Sequence, residues 1–291
     1  MRAALAAATV GVQVGAAMVA TRWVAGDIGP ATLTLLRYAI GAASLLPVVW
    51  WTGWTAPPPA DRPAIALLGI GQFGVLVALL TLGLQRLPAA HGAVVFALFP
   101  LLTLVFATAL GRERPSLRVV AGVVLSILGV ALALADKLDL AADQQRTAWI
   151  GAGFVVASAA TGALCSVLYR PYLSRTPALS IGVIAMMATV AALAVPAWWE
   201  IAHQPPTITA GGWLAVVFIG LSSGGAYWLW LWALAHAPPT RVTVFLGLGP
   251  VTAAALGALL LGEPAGPWLL AGTALVVAGQ VLTAFSRRTH A

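Results

Sequence analysis

The sequence predicts an all-α integral membrane protein, with ten transmembrane helices in two inverted five-helix repeats. Three observations carry that prediction. Of the 291 residues, 61% are hydrophobic and only 8% charged, and the mean hydropathy is +0.97. A soluble domain carries about 25% charged residues. A chain this apolar cannot cover itself with polar surface in water, so lipid has to be its solvent. The second observation is a series of ten apolar stretches, each close to the ~20 residues a helix needs to cross ~30 Å of hydrocarbon. The third is an internal repeat at one fixed offset. Residues 84–132 contain Pro88, Pro100, Glu113, Gly122 and Gly129. Residues 234–282 contain Pro238, Pro250, Glu263, Gly272 and Gly279, each 150 positions further on. Gly74 and Gly224 extend the register backwards.

In chain order the expected spans are 3–22, 30–51, 63–85, 90–110, 117–135, 149–169, 178–198, 211–233, 241–261 and 267–285. Turn-forming clusters separate them: Gly26-Asp27 and Gly29-Pro30, residues 56–63, 112–115, Pro205-Pro206, Pro238-Pro239, and 262–267. The first stretch, alanine-rich after Arg2, resembles a signal peptide. Its removal would leave nine spans and break the symmetry, so it is expected to stay as the first helix. The repeat units then cover 1–135 and 149–285, with an external linker at 136–148 and a tail at 286–291. The single cysteine, Cys165, excludes an internal disulfide framework.

Charge sets the orientation. The net charge of +7 comes from Lys and Arg in short loops, which reads as the positive-inside pattern rather than a nucleic-acid patch. With the N-terminus inside, Arg2, Arg62, Arg112, Arg114, Arg118, Arg170, Arg175, Arg241, Arg287 and Arg288 face the cytoplasm. Arg22, Arg37, Arg86, Lys137 and Arg146 fall outside. Ten against five puts both termini in the cytoplasm of an inner-membrane protein. Five spans per unit is odd, so the second unit enters from the opposite face. Two antiparallel copies can open to either side by exchanging conformations, with a substrate site near the midplane between them.

With PATLTLLR at 30–37 opening the second span, and glycine-punctuated helices following the 100–113 and 250–263 spans, the chain resembles the drug/metabolite transporter superfamily, of the EamA type, and within it the YddG-type exporters of aromatic amino acids. The resemblance covers nearly the whole chain. It implies a ten-helix transporter moving amino acids or related metabolites outward. Where members of the family often carry Trp-Gly in the first helix, this chain has Val14-Gly15.

Polar groups in hydrocarbon are expensive and default to candidate sites. Gln13 lies midway along the first span, and Gln72 and Ser222 are repeat mates in spans three and eight. With Ser223, these four are the polar candidates for substrate binding; the alternative for each is an interhelical hydrogen bond that holds the bundle together. Pro100 and Pro250 sit within spans four and nine, where each deprives a carbonyl of its helical donor. Such a break serves as a hinge, binds a substrate ammonium, or is a static kink. Tyr227 and Trp230 lie three apart and share a helical face. With Phe96 and Phe99 they are expected to wall an apolar cavity. Trp228 and Trp232 read instead as lipid-facing or packing residues, and Trp23, Trp50, Trp51, Trp54, Trp149, Trp198, Trp199, Trp213 and Trp268 as an aromatic belt at span ends. Glu113 and Glu263 are placed either to cap the following helix or to form a gate pair with a loop arginine. Arg37, about 10 Å into its span, is read as snorkelling outward. Gly11 and Gly15, and Gly220 and Gly224, have the spacing of close helix contacts.

No Asp or Glu lies deep in a span, so the expected cavity is neutral and suits a zwitterion with an apolar side chain, moved without tight proton coupling. An enzyme would need convergent acids, nucleophiles or ligands. The four histidines, His91, His203, His236 and His290, fall in or beside loops, and no HExxH, GxSxG or P-loop is present. No cofactor or metal is expected, no nucleic acid, and no partner beyond the lipid bilayer and a small-molecule substrate (amino acid or metabolite). The protein is expected to work as a monomer. A channel, or a transporter of another metabolite on the same fold, is the remaining alternative.

Overall fold

A computed structural model of the chain describes residues 2–112, 117–135, 141–238 and 242–284. Those residues are helical throughout, joined by short turns, with no strand among them. Among the described residues, seven helical segments are long and apolar enough to cross a membrane: Arg2–Val24, Pro30–Thr52, Pro59–Leu84, Ala89–Ala109, Ala142–Leu173, Ala178–His203 and Ala210–His236. Three shorter apolar helices accompany them, Val120–Ala133, Phe245–Leu261 and Pro267–Leu282.

We label the elements in order. α1 is Arg2–Val24 and α2 is Pro30–Thr52. The third segment is not one regular helix: α3 (Arg62–Gly69) widens into a π-turn over Ile70–Val75 before continuing as α4 (Leu76–Leu84). The fourth is broken into α5 (Ala89–Phe96) and α6 (Phe99–Ala109). Then come α7 (Leu117–Ala133), α8 (Ala142–Leu173), α9 (Ala178–His203) and α10 (Ala210–His236). A 3-10 turn at Val244–Gly247 leads into α11 (Leu248–Leu261), and α12 spans Pro267–Ala284. The helix α8 starts seven residues earlier than its apolar stretch. The segment ADQQRTA is rich in helix formers and places Asp143 in the first turn, where the helix dipole favours a carboxylate.

Packing follows a pattern of pairs. α1 packs on α10 and α11, while α8, which lies where α1 would recur in the repeat, packs on α4 and α6. α2 packs on α10 and α9, and α9 on α2 and α3. α7 lies along α12. Small residues permit these approaches. A Cβ at Gly272 would stand 2.4 Å from the Gly129 carbonyl oxygen, and one at Gly279 2.5 Å from that of Gly122. Gly11 and Gly15 face Phe245 and Gly249 rather than α10, and Gly220 and Gly224 face Ile40, Gly41 and Ser44 of α2. Each glycine pair of the sequence therefore admits a different neighbour, and neither pair meets the other.

Both broken segments break at the same repeat position. Ala97-Leu98 interrupts the fourth segment, and the 3-10 turn ending at Gly247 precedes α11. Pro100 and Pro250 stand just after the interruptions, in the first turn of the continuing helix, where a missing N–H costs little. Of the tryptophans expected at an interface, Trp23, Trp50, Trp51, Trp198, Trp199, Trp213 and Trp268 lie near helix ends and are exposed, Trp50 and Trp51 at 91% and 93%. Trp54 follows the end of α2, and Trp149 lies well inside α8, which begins at Ala142.

Candidate functional site

Where α1, α2, α4, α6 and α10 converge, they leave a cavity of about 60 Å³. Small-molecule sites occupy ~300–1,000 Å³. This one holds only a few waters as it stands, so a solute enters only with movement of the walls.

Its lining is mostly apolar. Phe96, Phe99 and Trp230 form one wall, with ring centroids 5.4 Å apart for Phe96–Phe99 and 6.0 Å, edge-on, for Phe99–Trp230. Tyr38 and Tyr227 flank a second wall, each against the buried ring of Phe73, at 4.9 Å and 4.1 Å. Val10, Val14, Met18, Leu76 and Leu80 fill the remainder.

The polar groups are few and specific. Gln13 Nε2 donates to Ser222 Oγ at 3.0 Å, tying α1 to α10. Gln72 is 3% exposed and sits inside the π-turn, which supplies an extra residue to the helical turn and lets its amide reach α10. Its Nε2 donates to Tyr227 Oη at 3.3 Å, while its Oε1 is buried with no partner among the described residues. Tyr38 Oη is likewise buried and makes no hydrogen bond of ordinary geometry among the described residues, though the Tyr227 hydroxyl and the Arg37 guanidinium both lie close to it. Arg37 overturns the neutral cavity expected from sequence. It is 7% exposed, lines the cavity, and donates from Nε to Ser223 Oγ at 2.7 Å. Its guanidinium carbon lies 5.6 Å from the Tyr38 ring centroid. It does not snorkel, because Ser223 anchors it inward.

Of the ten residues singled out in the sequence, Gln13, Gln72, Phe96, Phe99, Tyr227 and Trp230 meet around this cavity. Ser222 and Ser223 stand behind it, holding Gln13 and Arg37. Pro100 and Pro250 do not line it. Pro100 borders a separate crevice with Gly122, Ser126 and Gln280, and Pro250 is packed within α11. A residue absent from the sequence reading touches both breaks. Gln280 of α12, 3% exposed, donates from Nε2 to the Ala97 carbonyl at 2.9 Å. Its side-chain oxygen fills the space where a Cβ on Gly247 would lie. Ala97 and Gly247 are 150 positions apart, so one amide spans both interruptions. Its repeat mate is Val130, and a residue that departs from the repeat gives no symmetry signal.

The helix ends bearing Arg22, Gln85, Ala89, Glu200 and Glu263 are cross-tied. Glu263 Oε2 accepts from the Ala89 N–H at 2.9 Å, and its Oε1 lies 3.5 Å from Arg22 Nε. Arg22 also donates to Leu84 O at 2.8 Å, and Gln85 Nε2 to Ala25 O at 2.9 Å. Glu200 accepts from the Ala31 and Thr32 N–H groups at 3.0 and 2.8 Å, capping α2 from the end of α9. So Glu263 caps a helix from the other repeat, not its own successor, and pairs with a loop arginine. Glu113 lies outside the described residues. At the opposite end, Arg175 lies 3.4 Å from Asp61, and Arg112 donates to the Val167 carbonyl. Among the described residues no cluster of three or more His, Cys, Asp or Glu could hold a metal ion.

The family model for the EamA-like transporter family matches residues 1–135 and again 149–285. The chain belongs to that family. It is a multi-pass membrane transporter. Curated relatives agree at lower identity. A protein of Streptantibioticus cattleyicolor named "Probable terminal-alkyne amino-acid exporter" is 28% identical over 265 residues, covering 90% of this chain and 85% of its own. The "Uncharacterized transporter YyaM" of Bacillus subtilis is 23% identical, covering 93% and 89%. An "Uncharacterized transporter" of Archaeoglobus fulgidus is 26% identical, covering 91% and 92%. A solved crystal structure superposes with a TM-score of 0.73 at 22% identity, over 96% of this chain and 95% of that one, which supports the fold.

Proposed function

We propose that this EamA-like transporter exports amino acids, aromatic or apolar ones, or closely related metabolites, from the cytoplasm across the inner membrane by alternating access. The observation that carries the reading is the central cavity, where an aromatic and aliphatic wall surrounds a few buried polar groups with unmet hydrogen-bonding capacity. Such a lining suits a small solute with an apolar side chain and a polar head. The amino-acid exporter among the relatives supports the same class of cargo.

On this reading the units 1–135 and 149–285 are inverted five-helix repeats around the cavity, ten spans in all, with both termini cytoplasmic. The paired packing of α1 with α8's counterpart contacts, and of α2 with α9, supports a two-fold relation. The ties around Arg22 and Glu263 then close the outer face, and exchange between the repeats opens it. All of these contacts lie within one chain, so a monomer suffices.

Counterflow tests the proposal. Purified protein in liposomes preloaded with unlabelled L-phenylalanine or L-leucine should accumulate the labelled amino acid transiently against its gradient. A channel dissipates gradients and gives no counterflow, and absence of flux for every amino acid tried would move the cargo to another metabolite. Because the five described carboxylates all lie at helix ends, uptake should proceed without an imposed pH gradient. Strict dependence on one would contradict facilitated exchange.

A further inference from the structure

We infer that Arg37 binds the carboxylate of the cargo, so that the transported solute is a carboxylate-bearing amphiphile and the guanidinium is its specificity anchor. The inference rests on the amino-acid reading for the site and names the chemistry by which that site selects.

A guanidinium remains charged under all physiological conditions. Arg37 lies seven residues into α2, about 10 Å from its start at 1.5 Å per residue. Among the described residues it makes no ion pair, and Asp27, Asp61, Asp143, Glu200 and Glu263 all stand at helix ends. A buried charge without a counter-charge is strongly disfavoured, so its presence in a span points to a charge that arrives from outside the protein. Ser223 takes only the Nε donor. The Ser223 hydroxyl in turn donates to the Ile219 carbonyl, which fixes the acceptor that holds the guanidinium in place. Among the described residues the two terminal nitrogens make no further hydrogen bond of ordinary geometry, and with Tyr38 Oη close by they border the cavity as the planar fork that matches a carboxylate with two parallel hydrogen bonds.

The other unmet groups fit the same solute. Gln72 Oε1 is an acceptor without a donor among the described residues, suited to an ammonium, and Tyr38 Oη lies close to the guanidinium on the adjacent residue. Phe96, Phe99 and Trp230 receive the apolar part. An organic cation would place positive charge against Arg37, so the site discriminates against amines that lack the acid group.

Competition in the counterflow assay reads this directly. Labelled L-phenylalanine exchange should be inhibited by hydrocinnamate, which keeps the carboxylate, and not by phenethylamine, which lacks it. Arg37→Gln should weaken phenylalanine and hydrocinnamate by at least about tenfold, the loss of one charge-assisted contact. Arg37→Lys, which keeps the charge without the fork, should fall between. Equal inhibition by the two analogues in the unmutated protein, or an unchanged ranking in Arg37→Gln, overturns the inference while leaving amino-acid export standing. If phenylalanine is not carried at all, thermal unfolding in detergent separates the two claims. Stabilisation of the unmutated protein by hydrocinnamate and not of the Arg37 variants supports an acid cargo of another kind. No difference between the proteins sinks the inference as well. The analogue ranking needs no variant, so a poorly folding substitution leaves the test intact.

Discussion

Single hydrogen bonds hold the polar side chains of this cavity in place. Ser223 positions Arg37 by one hydrogen bond of 2.7 Å, and Tyr227 positions Gln72 by one of 3.3 Å. Ser223→Ala should release Nε and let the guanidinium sample other geometries, raising KM for the carried solute about tenfold while kcat changes little. Rescue by Ser223→Thr, which restores the acceptor, distinguishes positioning from bulk. Tyr227→Phe keeps the ring contact with Phe73 but leaves the Gln72 amide nitrogen unpaired in hydrocarbon, at a cost of about 1–3 kcal/mol in thermal stability. Gln13, Gln72, Tyr227 and Trp230 were legible in the sequence because amides and clustered aromatics stand out in an apolar span. Arg37 was visible but misread: depth alone allows a guanidinium to reach the interface, and only the position of Ser223, 186 residues away, shows that it turns inward.

At the scale of the element, the segments that hold Pro100 and Pro250 are each interrupted at the same repeat position. The proline positions revealed that a break exists in each repeat, yet they misled about its place, because proline is tolerated in the first turn after a break rather than at the break itself. Gln280 holds Ala97 O and packs over Gly247, so one amide bridges both interruptions. Gln280→Leu should leave the Ala97 carbonyl unpaired and lower stability by about 1–3 kcal/mol, measured as the unfolding temperature in detergent. Transport should slow more than stability alone explains, since the two breaks lose their common partner. Pro100→Ala should extend the α5–α6 helix and slow exchange while leaving membrane insertion intact; unchanged exchange would argue for a static kink. The π-turn around Gln72 had no sequence signal, because IGQFGV fits a regular helix equally well and tertiary contact selects the wider turn.

For the whole molecule, the all-helical membrane character and the two matching halves were readable from sequence alone, since hydropathy and a fixed 150-residue offset are both written in the order of residues. Which ends are tied together was not readable: Glu263 meets Arg22 and Ala89 across 241 and 174 positions, and no local pattern encodes such contacts. If those ties hold the outer face shut, Glu263→Gln should favour opening there. A cysteine placed at Ala17 of the cavity, with Cys165 replaced by alanine, should then react faster with an impermeant maleimide from outside. The account as a whole stands on antiparallel repeats, and one measurement reaches that claim most directly. Single cysteines at Ser116→Cys and Gly266→Cys occupy equivalent positions of the two units, 150 residues apart. Impermeant maleimide applied to intact cells should label Gly266→Cys and spare Ser116→Cys until the membrane is opened. Labelling of both from the same face would contradict the inverted arrangement and the alternating-access mechanism built on it.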